Sequence, residues 1–183
     1  GSLGQCRLWT GNSGAGKTTR TLQEVSSGRD FYGDDQVIIG KKTDGLWYAW
    51  PFWRAVKVTP DSWRRLAGLP FLAAACPETT AKHVMYGIGK DLAVAKPECG
   101  CITSINLLLP STHGVLRSLS LEEAIRMVAP CFLHALLPLN AIGAIESLLD
   151  LFSEVEVRAV SWDMLQKIEE SAGEKSSVDE RQG

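Results

Sequence analysis

The chain has 183 residues, 45% of them hydrophobic, which is enough for one well-packed domain. A formal net charge of −2 argues against nucleic acid or an anionic membrane surface as the main partner. Pro130 and Pro138 interrupt the longest apolar run, so no segment reaches the length of a membrane span, and neither nucleic acid nor a membrane is expected as a partner.

Residues 6–10, Cys6-Arg7-Leu8-Trp9-Thr10, alternate as a short strand, with Leu8 and Thr10 on one face and Arg7 and Trp9 on the other. The next nine residues are Gly11, Asn12, Ser13, Gly14, Ala15, Gly16, Lys17, Thr18 and Thr19, which fit G-x-x-x-x-G-K-[ST] without a mismatch. The pattern has a mechanism. Glycines let successive backbone N–H groups converge on a polyphosphate, Lys17 brings a charge to the β- and γ-phosphates, and the Thr18 hydroxyl reaches a Mg²⁺ ion. A helix from about residue 18 to 26, with Leu22 and Val25 at helical spacing, adds the positive end of its dipole. A buried strand before the loop and a helix after it are the context that this motif requires. Nucleotide, with ATP and Mg²⁺ as cofactors, is therefore the expected ligand.

Asp34-Asp35 comes next, directly ahead of the β-branched run Val37-Ile38-Ile39. Lys42-Thr43-Asp44-Gly45 reads as a hairpin turn into the aromatic strand Leu46-Trp47-Tyr48-Ala49-Trp50, which Pro51 stops. Residues 53–58 alternate as a further strand. Thr59-Pro60 supplies an N-cap and a first-turn proline for a helix through Leu66. Between residues 68 and 96 the pattern is irregular, and one or two short helices with a flexible substrate-facing segment are expected. Residues 101–109 form a central strand ending at Pro110. Ser120-Leu121-Glu122-Glu123 is a capping box, with Leu119 as its staple, that opens a helix to about Ala129. A second apolar helix covers 139–152, a late strand 154–160 and a last helix 163–170. The reading is a single domain over residues 5–170 with a polar, disordered tail over 171–183. It is an α/β fold: a P-loop NTPase-like mixed sheet with an early β-hairpin and helices on both faces, unlike the regular β-α alternation of common nucleoside kinases.

Five cysteines (Cys6, Cys76, Cys99, Cys101 and Cys131) make a disulfide framework improbable and suit a reducing, cytoplasmic location. Cys99-Gly100-Cys101 lacks two further ligands at recognisable spacing and reads as ordinary thiols at a strand start rather than as a zinc site.

Only one helix separates Asp34-Asp35 from the loop, so the chain can return the pair to the phosphates. One carboxylate there can hold Mg²⁺ while the other takes a proton from an attacking hydroxyl. A plain turn or cap role for the pair stays open at this level. Phosphoryl transfer also develops charge on oxygens, and Arg54, after Pro51-Phe52-Trp53, is the candidate to meet it. Lys82, Lys90 and Lys96 read as solvated. The aromatic cluster of Trp47, Tyr48, Trp50, Phe52 and Trp53 reads as sheet packing before it reads as a base-stacking platform. His83 and His134 read as structural, and His113 is unassigned.

The glycine-rich loop, the single helix and Phe31-Tyr32-Gly33-Asp34-Asp35-Gln36-Val37-Ile38-Ile39 together resemble the HPr serine kinase/phosphorylase group. The hairpin into Trp50-Pro51-Phe52-Trp53 and the Leu119-Ser120-Leu121-Glu122-Glu123-Ala124 helix start are similar to its HPr kinase-like subgroup. The resemblance spans roughly residues 5–160, with its specific motifs in the first third. It implies a phosphoenolpyruvate carboxykinase-type nucleotide fold and an ATP/Mg²⁺-dependent kinase acting on a serine-type hydroxyl. It also implies assembly into a homo-oligomer. The catalytic set would be Asp34, Asp35, Lys17 and Arg54, with the metal on Thr18 and Asp35; which aspartate is the base stays open. The longer signature with which HPr kinases engage their carrier protein has no counterpart here, so the acceptor is expected to be another protein, a peptide or a small molecule. The alternatives are a nucleotide-binding regulatory module and a P-loop ATPase without kinase turnover.

Overall fold

Inward-facing Cys6, Leu8 and Thr10 alternate with more exposed neighbours along the first strand, β1 (Gln5–Thr10). The computed structural model describes residues 4–34, 36–52, 56–66, 98–110, 114–132, 142–165 and 167, together with the backbone of 83–85 and 141. Two compact units divide the chain: Gly1–Trp9 with Gly16–Ser104, and Thr10–Ala15 with Ile105–Gly183. The architecture is α/β, with a mixed sheet of mostly antiparallel strands and flanking helices.

The first unit holds β1 up to Trp9, α1 (Lys17–Ser26), β2 (Val37–Lys41), β3 (Trp47–Pro51), β4 (Val56–Val58), α2 (Pro60–Arg65), β5 (His83–Met85) and the opening half of β6 (Gly100–Leu109). Its strand order is β2-β3-β6, with β1 also on β6. Strands β2 and β3 form the expected antiparallel hairpin, Gly40 opposite Tyr48 and Ile38 opposite Trp50, closed by the Lys42 N–H on the Leu46 carbonyl at 3.0 Å. On β6, Cys101 lies opposite Tyr48 in an antiparallel pair. Toward β1, Cys101 N–H bonds to the Gly4 carbonyl and the Thr103 hydroxyl to the Cys6 carbonyl; the partners advance together, as in a parallel pair.

Helix α1 buries Leu22 and Val25, the two residues its spacing singled out. Its Glu24 carboxylate, nearly buried, receives Arg7, Arg20 and Arg29 at 2.9, 2.7 and 2.8 Å, which ties the helix to β1 and to the turn that follows it. The Arg20 guanidinium also lies 5.1 Å over the Trp9 ring. Thr59 caps α2 as expected, accepting from the Ser62 N–H at 3.2 Å with Pro60 in the first turn. The irregular middle departs from expectation: residues 83–85, placed in a helical or flexible stretch, are a strand antiparallel to β4, with Val58 opposite His83. Three residues are too few for a period to be read from sequence. The remainder of 68–96 lies outside the described residues.

The second unit holds the closing half of β6, β7 (Leu116–Ser118), α3 (Leu121–Met127), α4 (Ala129–Phe132), α5 (Ala141–Glu154) and β8 (Glu156–Ser161), in the order β6-β8-β7. Consecutive burial along β6 from Ser104 to Leu108 marks a strand covered on both faces. Strand β7 was not expected; its three residues are all exposed and lie antiparallel to β8. The capping box at Ser120 and Glu123 forms as read. The helix it opens stops at Met127, short of the expected Ala129, and a separate turn begins there with Pro130 in second place. Proline fits a first helical turn and breaks an interior one, which is why the chain restarts. Phe132 meets Phe152 edge to face at 5.8 Å. Helical structure resumes over 162–165, the start of the expected terminal helix; residues 168–183 lie outside the described residues.

Candidate functional site

Strand, loop and helix follow one another here as the motif demands. Within the second unit the loop leaves β1 at Gly11 and turns on the Ala15 N–H bond to the Asn12 carbonyl, 3.1 Å. Asn12, Ser13 and Gly14 are exposed and Ala15 is buried. Gly11 has φ +142°, and a Cβ on it would stand 2.7 Å from the Leu108 carbonyl oxygen, so only glycine fits against β6. Gly11→Ala is expected to cost about 1–3 kcal/mol and to lower the thermal midpoint by roughly 2–10 °C. An unchanged midpoint in a melting experiment would show that the loop is not held this close to the strand. The Ala15 carbonyl accepts a 2.7 Å bond from the Trp162 indole N–H. That anchor was not foreseen, because nothing in the local pattern around Trp162 signals a partner so far back in the chain.

In the first unit, Gly16 caps α1 in the left-handed region, φ 95° and ψ 16°, and its carbonyl takes the first helical bond from the Arg20 N–H at 2.9 Å. No side chain caps this helix start, and no acidic residue occupies its first turn. The N-terminal N–H groups and the helix dipole therefore favour an anion. Lys17 and Thr18 are half-buried in this turn. A lysine at the positive end of a helix opposes the dipole, so its place there is not explained by helix stability.

Asp34 comes to this turn. Its Oδ1 accepts the Thr18 hydroxyl at 2.7 Å, and the Lys57 N–H approaches Oδ2 at a long 3.5 Å. Two oxygens suited to a hard cation thus lie side by side, which fits the donor chemistry Mg²⁺ prefers. Thr19, grouped with the nucleotide-binding residues from the motif, is buried and donates instead to Ser62 Oγ at 2.7 Å. Ser62 Oγ also accepts the Thr59 hydroxyl, at 3.0 Å. Thr19 thereby links α1 to the cap of α2, a role that spacing did not reveal. Asp35 and Arg54 lie outside the described residues, as do Trp53, Lys82, Lys90, Lys96, Cys76, His113 and His134.

The aromatic hairpin divides as alternation predicts. Trp47 and Ala49 are buried, while Tyr48 and Trp50 share the opposite side with ring centroids 6.2 Å apart. Among the described residues, no group of three His, Cys, Asp or Glu side chains is arranged to hold a metal ion, and no helix is long and apolar enough to cross a membrane. No family model matches the chain, and no curated protein or solved structure matches it significantly.

Proposed function

We propose that the protein is an ATP/Mg²⁺-dependent kinase of the HPr kinase-like type, transferring the γ-phosphoryl group to a hydroxyl on a protein, peptide or small molecule. The observation that carries this reading is the 2.7 Å bond between Thr18 and Asp34 at an uncapped helix start that also bears Lys17. A carboxylate returned to the phosphate-loop hydroxyl is what metal-assisted phosphoryl transfer needs.

In this reading the uncapped N–H groups of the Gly16–Thr18 turn hold the phosphates, and Lys17 neutralises charge on the β- and γ-oxygens. Thr18 and Asp34 would hold the Mg²⁺ ion, which supplies further charge neutralisation when bound. That assigns Asp34 to the metal side, where the family resemblance had suggested Asp35, and leaves Asp35 as the base. The acceptor oxygen bonds to the γ-phosphorus as the bond from that phosphorus to the β–γ bridging oxygen breaks. The acceptor's proton passes to the Asp35 carboxylate, and ADP leaves. Arg54 would meet charge on the transferred group.

Incubating the protein with γ-labelled ATP, Mg²⁺ and a cell extract tests the proposal. Label is expected on an acceptor. Label released only to water would make the protein an ATPase, and label left on ATP would make it a binding module.

A further inference from the structure

Each unit ends its strand order in an edge, and the two edges are built differently. In the second unit β7 carries Arg117 at its centre, bonded twice to Glu123, and Ser118 on Glu156. Charge of this kind blunts an edge against further pairing. In the first unit β2 has a neighbour on one side only among the described strands, β3, and its first four residues, Val37-Ile38-Ile39-Gly40, include no charge and no proline. The Lys42 N–H bonds to the Leu46 carbonyl, so Gly40 and Ile38, two and four residues back, also turn their N–H and C=O toward β3. Val37 and Ile39 turn theirs outward, to the open edge.

Burial along β2 agrees. Val37 and Ile39 share a face with Pro51 and Ala49, their partners on β3. Ala49 is fully buried, yet Val37 and Ile39 stay half-exposed at the edge. On the opposite face Ile38, across from Trp50, is 55% exposed. Three consecutive β-branched side chains are thus left short of contact on both faces of one open strand. The start of this strand also lies at the candidate site. The Tyr32 carbonyl accepts the Phe52 N–H at 3.3 Å, and a Cβ on Gly33 would stand 2.6 Å from the Gln36 carbonyl oxygen and 3.3 Å from Val37 Cγ1. The segment that carries Asp34 is therefore closed against the base of the hairpin.

We propose that the β2 edge binds the phosphoryl acceptor as an extended polypeptide, which adds a strand to the sheet through main-chain bonds to Val37 and Ile39. An extended backbone is the one partner that meets the outward N–H and C=O groups and covers both faces of β2 at once. The inference rests on the kinase reading: a chain paired along β2 and continued past Val37 passes Asp34, three residues upstream, and so brings a hydroxyl-bearing residue to the Thr18–Asp34 pair. The paired stretch of the acceptor would carry β-branched or aromatic residues. Its side chains would meet Ile38 on one face and Val37 and Ile39 on the other.

The test uses the whole chain. Short random peptides displayed on phage are panned against it, and the recovered sequences are synthesised. Their binding is expected to slow hydrogen exchange at the Ile39 N–H by about tenfold or more, while Ile38 and Gly40, already bonded to β3, do not change. Methylating alternate backbone nitrogens of the peptide should weaken binding by about tenfold in one phase of the alternation and little in the other. Ile39→Pro, which removes an outward N–H and keeps the bonds to β3, should weaken peptide binding by about tenfold and leave ATP affinity unchanged. Recovery of no peptide, binding without protection at Ile39, or tolerance of methylation in both phases would overturn the proposal. So would an Ile39 N–H already protected in a peptide-free dimer, which gives the edge to a second copy of the chain. Exchange and methylation are read on the unmodified protein, so they stand whether or not the variant folds. The kinase reading fails separately. Peptide bound at the edge with no label moved from ATP removes the kinase and keeps the edge as a peptide site; label moved only to a small molecule keeps the kinase and removes the edge from it.

Discussion

Asp34→Asn is expected to reduce phosphoryl transfer by about 10²-fold or more, as loss of a metal-side or proton-accepting carboxylate does. Its effect on ATP affinity should stay within about tenfold, or ~1.4 kcal/mol, because the loop supplies most of the binding. The substitution keeps the shape of the side chain, and its amide oxygen can still accept the Thr18 hydroxyl that Asp34 accepts at 2.7 Å. The negative charge is lost together with the long 3.5 Å acceptance from the Lys57 N–H, so a thermal melt beside the assay separates lost chemistry from lost fold. Single-turnover transfer and calorimetry, run on the same preparation, separate the two quantities. Equal losses in both would make Asp34 a binding residue alone. Wild-type transfer would return the residue to an ordinary turn and remove the main residue-level support for a kinase. Asp35→Asn, measured beside it, should lose transfer without losing affinity if that residue is the base.

The second large effect belongs to Lys17. Lys17→Ala should weaken ATP binding by at least about 10²-fold, or ~2.7 kcal/mol, because a triphosphate loses its principal side-chain counter-charge. Stability should move little, or even rise, since the lysine sits in the first turn of α1, where a cation opposes the helix dipole. The paired expectation is what gives the experiment force. Calorimetry with ATP and a thermal melt check both halves; unchanged affinity would remove the nucleotide from the proposal altogether.

These two positions differ in how they could be read. Lys17 and Thr18 follow from their place in a motif whose geometry is local: glycine, turn and helix start lie within a few residues, and the backbone alone brings them together. The same holds for the Thr59-Pro60 start of α2, the Lys42–Gly45 turn and the Ser120–Glu123 capping box, each of which depends on contacts no more than four or five residues apart. Of the three arginines on Glu24, Arg20, one helical turn away, and Arg29, five residues on in the turn, lay within that reach; Arg7 is set by its place on β1.

By itself, then, the sequence determined the strand–loop–helix unit, the hairpin, the helix starts and the alternating faces of the strands, because each is dictated by backbone geometry and burial over one or two turns of chain. Only the tertiary structure decided that Asp34 is the carboxylate on Thr18, that Thr19 serves α2 through Ser62, and that Trp162 pins the Ala15 carbonyl. It also decided that residues 83–85 and 116–118 are strands, pieces too short to carry a period. The physical reason is the same in each case. Contacts between distant residues come from packing summed over many elements, after the entropy of closing long loops has been met, and no short stretch of sequence contains that sum.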